Sequence, residues 1–203
     1  IAKIGSPIEV SILEKMQKPK LIIDMITTKT SSNFVYYQEA CRYWVKAILG
    51  LPYFRRNGEK MSPPHGRYLY FHSIEETAFT TCLMNSSLFY WFYSAFSDGE
   101  HLNDNLVRGF KIPENWKAYE WQRICEELMY DLNKSAQRKT INTKQGHIIE
   151  YDEVKALKVK QKIDGVDIVL AELYGFEPLE TEFITSYDIK YRMGQDIEED
   201  DDM

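Results

Sequence analysis

The chain contains few cysteines, and their spacing is typical of neither a disulfide framework nor a zinc site. Cys41, Cys82 and Cys125 are widely spaced and odd in number. This argues against both a disulfide framework and a zinc site. The cysteine content therefore favours a reducing, cytoplasmic setting.

Long hydrophobic runs are also lacking. The apolar stretch from Leu88 to Phe96 is too short to cross a bilayer, and polar residues precede it. No signal peptide is visible. At 203 residues and 44% hydrophobic content, the chain has the composition of one substantial globular domain or two small ones. We expect no membrane association and a cytoplasmic location.

Positive charge is scarce overall but unevenly distributed. The formal net charge is -6, yet residues 1–70 carry eleven Lys or Arg against five Asp or Glu. Six acids lie in the last eight residues, 196–203, which is typical of a solvated, disordered tail. The basic excess lies in the first third of the chain.

Local patterns in that first third predict a helix and then a sheet. Ser6-Pro7 can cap and begin a helix that ends before Pro19. Strands are predicted at LIIDMIT from Leu21, FVYY from Phe34, RYWVKAI from Arg42 and RYLYF at 67–71, all rich in β-branched or aromatic residues. Asn57-Gly58 is a hairpin-turn signal.

Helical patterns dominate the remainder. Ser73 and Glu76 form a capping box, and residues 88–96 and about 115–138 are predicted to be helices. The polar stretch 139–146 is the best candidate domain boundary, with a short strand near 147–151. Two further helices are predicted, one ending at Gly175 and one beginning at Pro178. The predicted fold class is α+β.

Two segments carry longer motifs. MNSSLFYWFYSAFSDGEHLN runs from Met84 to Asn103, and LYGFEPLETEFITSYDIKYRMG runs from Leu173 to Gly194. In order and approximate separation they resemble segments of the target-recognition region and the C-terminal end of bacterial adenine-N6 DNA methyltransferases of restriction-modification systems. The resemblance covers most of the chain. It implies a TaqI-like specificity domain that binds double-stranded DNA.

The catalytic and cofactor motifs of that family are missing. Its Asn-Pro-Pro-(Phe/Tyr) tetrapeptide bonds the flipped adenine, but the only Pro-Pro here is Pro63-Pro64, between Ser62 and His65. The Gly-rich turn for S-adenosylmethionine is absent as well. The resemblance therefore implies that S-adenosylmethionine belongs to a methyltransferase domain upstream in a longer parent protein. We expect no catalytic residue, metal or cofactor in this chain.

Basic and aromatic residues are interleaved between residues 42 and 68. Arg and Lys contact phosphates, and Arg can form two hydrogen bonds with guanine. Taken alone, the pattern favours a solvated basic face on a half-buried sheet, whereas the resemblance favours DNA contact. The loop from Leu51 to Gly66 is predicted to enter a groove. The predicted DNA-binding residues are Arg42, Trp44, Lys46, Arg55, Arg56, Lys60, His65 and Arg67.

Three other features have both a functional and a structural interpretation. The aromatic residues of 89–96 could stack on bases, but a helix that is apolar on all sides is more typical of a core. Residues 85–87 could hold a phosphate, but Asn and Ser also cap helices. Asp98, His101 and Asp104 are metal-ligand types, but a turn explains them equally well. We favour the structural interpretation in each case.

These observations predict three regions. Residues 1–113 form a mixed β-sheet recognition region with buried helices, residues 114–195 a helical C-terminal region, and residues 196–203 the acidic tail. The expected function is sequence-specific recognition of double-stranded DNA on behalf of the methyltransferase domain. The alternative is a protein-interaction module whose C-terminal helices dock a partner subunit of a modification complex, which the acidic balance after residue 70 favours.

Overall fold

A computed structural model describes residues 3–41 and 44–188 of the chain. Within these ranges lie seven α-helices and three short 3₁₀ helices, the latter at Ile22–Met25, Trp116–Ala118 and Ala156–Val159. The α-helices are α1 (Pro7–Lys15), α2 (Ile74–Asn85), α3 (Ser87–Phe96), α4 (Asp104–Arg108), α5 (Trp121–Ser135), α6 (Lys160–Tyr174) and α7 (Pro178–Ser186).

Ten strands form three antiparallel sheets in the same ranges, which confirms the α+β class. A central sheet has the order β2-β7-β3-β4, a second sheet, the hairpin sheet, has the order β6-β5-β10-β9, and β1 pairs with β8. The strands are β1 (Lys20–Leu21), β2 (Ile26–Thr27), β3 (Phe34–Gln38), β4 (Ala47–Leu49), β5 (Phe54–Arg56), β6 (Glu59–Lys60), β7 (Gly66–Phe71), β8 (Lys111–Ile112), β9 (Gln137–Asn142) and β10 (Ile148–Glu153).

The central sheet packs one face on α2 and turns the other toward the hairpin sheet. Side chains alternate between the faces of a strand, and Val35, Tyr37, Leu69 and Phe71 are all buried in the same hydrophobic cluster as α2. The opposite face carries four aromatic rings. Phe34 lies opposite Tyr70 in register, and Tyr36 lies opposite Tyr68. The sheet therefore has a helical side and an aromatic side.

A helical core, comprising α1 to α3 and α5 to α7, holds most of the buried apolar residues. Helix α3 is almost wholly buried, as expected for a helix that is apolar on all sides. Phe79 of α2 packs on Trp116 and Trp121, with ring centroids 4.8 and 4.9 Å away. Buried residues on both sides of the predicted boundary at residue 113 thus belong to one hydrophobic cluster.

Local capping signals are confirmed. Ser6 with Glu9 and Ser73 with Glu76 form complete capping boxes at the starts of α1 and α2. Gly175 ends α6 in the left-handed conformation with φ 75°, a geometry that glycine adopts without steric cost. The described helices include none that is long and apolar enough to cross a membrane.

Several predicted strand and helix bounds are wrong. The segment from Leu21 is interrupted by a 3₁₀ turn, because the Asp24 carboxylate accepts the Leu21 N–H at 2.8 Å. Of the strand expected from Arg42, only Ala47–Leu49 pairs within the described residues. The helix expected from Asn115 begins at Trp121, because Tyr119 has an extended backbone.

The polar stretch expected to be a boundary is instead part of the hairpin sheet. Residues 137–142 form β9, which pairs along its whole length with β10, and β10 also pairs with β5. A segment after residue 113 therefore completes a sheet that begins before it. The acidic tail and the YDIKYRMG motif beyond Asp188 lie outside the described residues.

Candidate nucleic-acid interface

The hairpin sheet consists of two hairpins joined side by side. Asn57 and Gly58 form the turn between β5 and β6, and both have positive φ, 52° and 82°. This is the two-residue turn whose twist matches that of the flanking strands. Residues 143–146 form the turn between β9 and β10, with Gly146 at φ 81°. Both turns lie at the same end of the sheet, because β5 and β10 run antiparallel.

Asn57 connects the two hairpins through its side chain as well as its backbone. Its backbone N–H donates to the Ile148 carbonyl at 2.8 Å, and its Oδ1 accepts the Ile148 N–H at 2.9 Å. Its Nδ2 lies 3.1 Å from His147 Nδ1. The side-chain amide thus extends the hydrogen-bond ladder beyond the end of β5. The relative position of the turns depends on this residue.

The first hairpin gathers three of the predicted DNA-binding residues. Arg55, Arg56 and Lys60 are exposed, and each lacks an ion-pair partner within the described ranges. Arg55 and Lys60 are opposite each other in register and share a face, whereas Arg56 points to the other face. Their charges are therefore available to an external anion on both faces of a narrow hairpin.

Tyr53 precedes β5, and its ring contacts two guanidinium groups. Arg138 stacks on its ring with the guanidinium carbon 3.2 Å from the centroid, and Arg55 lies 5.4 Å from the same centroid. Arg138 also donates to both oxygens of Asp152, at 2.5 and 3.3 Å. Because Arg138 is on β9 and Arg55 on β5, this stack spans the sheet.

The other predicted residues lie elsewhere. Arg67 donates to the Glu39 carboxylate from Nε and NH2, at 2.9 and 2.6 Å, so its charge is compensated. Trp44 is half-buried and donates to the Asn85 carbonyl at 3.3 Å. Lys46 faces a cavity between the two sheets. His65 is exposed at φ 59°, and Arg42 lies outside the described residues.

Sequence reasoning missed the second hairpin. Arg138, Lys139 and Lys144 are exposed on β9 or in its turn, beside the residues of the first hairpin. Lys139 lies 3.6 Å from Glu153, and Lys144 has no ion pair within the described part of the chain. The one local signal is the turn-forming Gly146 before the predicted strand near 147–151. QRKTIN itself shows no alternation, because it is exposed along its whole length, and its polar composition favours a boundary.

The first motif segment has a structural role. Asn85 is buried, donates to the Ala47 and Thr81 carbonyls and accepts the Ala47 N–H, so it connects α2 to β4. The backbone N–H groups of Ser87 and Leu88, at the start of α3, donate to the buried Asp167 carboxylate at 2.9 and 3.2 Å. That carboxylate occupies the helix N terminus that a phosphate would need. The capping interpretation is confirmed, because the Ser86 hydroxyl accepts the Phe89 N–H at 3.0 Å as the N-cap of α3.

The second motif segment packs against the first and against other parts of the helical core. Tyr174 donates to the Lys111 carbonyl at 2.6 Å, and the buried Glu180 accepts from Ser11 and Lys15, each at 2.6 Å. Tyr187 packs on Tyr90 of α3 with ring centroids 6.5 Å apart. Both motifs therefore build the helical core.

The residues proposed as a possible metal set form a turn. Asp98 accepts the backbone N–H groups of Glu100 and His101, at 2.8 and 2.9 Å. These bonds, together with the His101 side chain 3.7 Å away, hold the pKa of Asp98 below its usual range. Asp104 accepts from the Tyr37 hydroxyl at 2.6 Å. Over the described ranges no group of three or more His, Cys, Asp or Glu could hold a metal ion.

Comparisons with protein-family models, curated proteins and solved structures found no match for this chain. The resemblance to methyltransferase specificity domains therefore depends on the two motif segments alone.

Proposed function

We propose that this chain is a recognition module for double-stranded DNA, acting for an adenine-N6 methyltransferase of a restriction-modification system. The observation that supports the proposal is the hairpin of Arg55, Arg56 and Lys60, which are exposed and form no ion pair within the described ranges. Glu150 and Glu59 lie opposite Arg55 and Arg56 in register but form no ion pair with them. Strand β6 is the edge strand of its sheet, and Arg55 and Arg56 are exposed on opposite faces of the hairpin.

The shape of the hairpin suits a groove. The major groove of B-form DNA admits a two-stranded β-ribbon. In the proposed complex the two-residue turn at Asn57-Gly58 enters first, and Arg55 and Arg56 follow on opposite faces. Arginine can form two hydrogen bonds with guanine, whereas Lys60 and Lys144 act as phosphate contacts that set the register without reading sequence.

The methylation itself would take place in another part of the parent protein. The upstream methyltransferase domain would bind S-adenosylmethionine and receive the flipped adenine. The present chain would supply sequence readout and close one side of the duplex.

The decisive test replaces Arg55 and Arg56 with alanine in the parent enzyme. We expect site-specific methylation to fall on the order of 100-fold or more, since each bidentate base contact contributes about 1–3 kcal/mol. The matched control replaces Lys117 and Arg123, two exposed cations outside the hairpin sheet, and should leave methylation unchanged. Circular dichroism and cofactor titration of both variants establish that folding and cofactor affinity are retained.

Lys60→Ala distinguishes recognition of a DNA sequence from non-specific attraction to DNA. A lost phosphate contact weakens binding to all sequences alike and reduces the salt slope by about one unit. Methylation of the native site at the wild-type rate by the double arginine variant would contradict the assignment of the hairpin.

A second candidate function, docking of a partner subunit or of the methyltransferase domain, is favoured by one surface. Ile168 of α6 and Leu179 of α7 have exposed fractions of 52% and 71%, and Ile168 lines an open groove with Phe176 and Pro178. Exposed apolar clusters of this kind mark interaction sites. If docking is the function, Ile168→Asp with Leu179→Asp abolishes association with the separately expressed partner while the arginine variant leaves it intact.

A further inference from the structure

A cavity lies between the central sheet and the hairpin sheet, apart from the exposed hairpin arginines. Its volume is about 400 Å³, which is within the range of small-molecule sites. Ile48 of β4 lines it from the central sheet, and Phe54, Ile141, Ile149 and Tyr151 line it from the hairpin sheet. Most of its wall is therefore apolar or aromatic. We call it the inter-sheet cavity.

The Tyr36 side chain lines one wall of the inter-sheet cavity, but its hydroxyl does not open onto it. Tyr36 is 2% exposed, and its OH has almost no accessible surface and makes no hydrogen bond of acceptable geometry among the described residues. Burial and the neighbouring Tyr68 raise the pKa of Tyr36 to about 12, and the Gln38 side chain only partly opposes that rise. The ring lies against the backbone at Gly66, where a Cβ would be 2.4 Å from it. A buried polar group without a partner costs free energy.

The same cavity is lined by a lysine without an ion pair. Lys46 is half-buried, and no described group lies within ion-pair or hydrogen-bond distance of its ammonium. Burial lowers its pKa, although Asp152 and Glu153, which also line the cavity, act in the opposite direction. Both acids already have cationic partners, Arg138 for Asp152 and Lys139 for Glu153. Among the described residues that line the cavity, Lys46 is therefore the charged group without an ion pair.

We propose that the inter-sheet cavity binds a small planar aromatic carboxylate. The ring would lie among the aromatic and aliphatic side chains of the two sheets. The carboxylate would accept from the Lys46 ammonium, which offers three donors and no acceptor. A monoanion fits because one cation is uncompensated, and a planar ring fits because the wall consists of flat or branched apolar groups.

Such a ligand would contact both sheets at once. Lys46 and Tyr36 belong to the central-sheet side, whereas Phe54, Ile149 and Tyr151 belong to the hairpin sheet. Binding would therefore hold the hairpins in one orientation against the rest of the molecule. This inference is independent of the proposed DNA function, and its test contains no DNA.

The experiment titrates the whole chain with 2-naphthoate and with its neutral analogue 2-naphthamide, measured by calorimetry. We expect saturable one-to-one binding of the carboxylate, and binding of the amide weaker by about 10-fold or more, since hydrogen bonds to charged groups are the stronger class. Lys46→Met should reduce naphthoate affinity to that of the amide. Lys117→Met, an exposed lysine outside the hairpin sheet, is the control and should leave naphthoate affinity unchanged.

Tyr36→Phe provides a second control, in the wall of the cavity itself. Its hydroxyl has almost no surface that a ligand could contact, so its removal should leave the free protein as stable as the wild type or more so and naphthoate affinity unchanged. The proposal is overturned if naphthoate fails to saturate the protein below millimolar concentration, if naphthamide binds equally well, or if Lys46→Met binds naphthoate like the wild type.

Discussion

The helical core and the hairpin sheet satisfy their polar groups in different ways. In the helical core, Asp167 and Asn85 are buried and bond backbone groups of segments far away in the chain. In the hairpin sheet, polar side chains are mostly exposed, and Arg55, Arg56 and Lys60 have no ion pair among the described residues. Removing one of these core side chains leaves its buried backbone partner without a hydrogen bond, whereas removing one of these three cations changes only the protein surface.

The residues that build the fold and the residues that we propose for function lie in different regions of the molecule. Both segments that resemble methyltransferase specificity domains lie in the helical core, where Ser87 bonds the buried Asp167 and the buried Glu180 bonds Lys15. The residues that we propose for DNA readout lie outside those segments. A family resemblance carried by core residues therefore indicates how the chain folds more directly than what it contacts.

The largest effect on stability is expected from Asp167→Ala in the helical core. The change leaves the N–H groups of Ser87 and Leu88 without their acceptor at the start of α3. We expect a loss of about 3 kcal/mol in the free energy of unfolding, measured by urea denaturation. Asp167→Asn keeps an acceptor and should cost less.

Asp152→Ala is the matched control in the hairpin sheet. Asp152 pairs with Arg138, whose side chain is about half exposed, so the loss should stay within about 1 kcal/mol. If both alanine variants destabilise the protein equally, the contrast between the two regions does not hold.

A smaller, pH-dependent effect is expected at Glu180, which connects α7 to α1. Burial by itself would raise the pKa of Glu180, but bonds from Lys15, Ser11 and the Glu177 N–H outweigh it, so the pKa is below its usual value of 4.5. A lowered pKa stabilises the fold above pH 4.5, and this contribution disappears as the pH falls through the folded-state pKa.

Glu180→Gln should therefore be less stable than the wild type by about 2 kcal/mol at pH 7. The difference should shrink steadily below pH 4.5, in urea unfolding curves measured between pH 7 and pH 3. A difference that stays constant over that range would show that the carboxylate charge is not what stabilises the junction.

A smaller effect than at Glu180 is expected from Asn57→Gly in the hairpin sheet. Asn57→Gly keeps the positive φ but loses the bond from the Ile148 N–H, and should cost about 1 kcal/mol. Asn57→Ala adds the strain of a left-handed alanine, so it should cost about 1 kcal/mol more. Hydrogen exchange should rise at residues 54–60 and stay unchanged in α2 and α3 for both variants. Increased exchange in the helices would mean that the two regions are not independent.

Elements that depend on neighbours within a few residues could be predicted from the sequence. The helix start at Ser6-Pro7, the capping box at Ser73, the Asn57-Gly58 turn and the end of α6 at Gly175 all appear as predicted. The candidate site was predicted in part: the sequence placed Arg55, Arg56 and Lys60 at a turn. It could not show that Arg67 is neutralised by Glu39, because that contact joins positions 28 residues apart.

The sequence by itself determined the local elements, the α+β class and the apolar character of α3, because capping, turn chemistry and hydrophobic periodicity act over one or two turns of chain. Only the tertiary structure decided that β9 and β10 complete a sheet with β5, that Asp167 caps a helix 80 residues earlier, and that Lys46 faces a cavity. Such contacts depend on which distant segments pack together, and composition alone contains no record of that pairing.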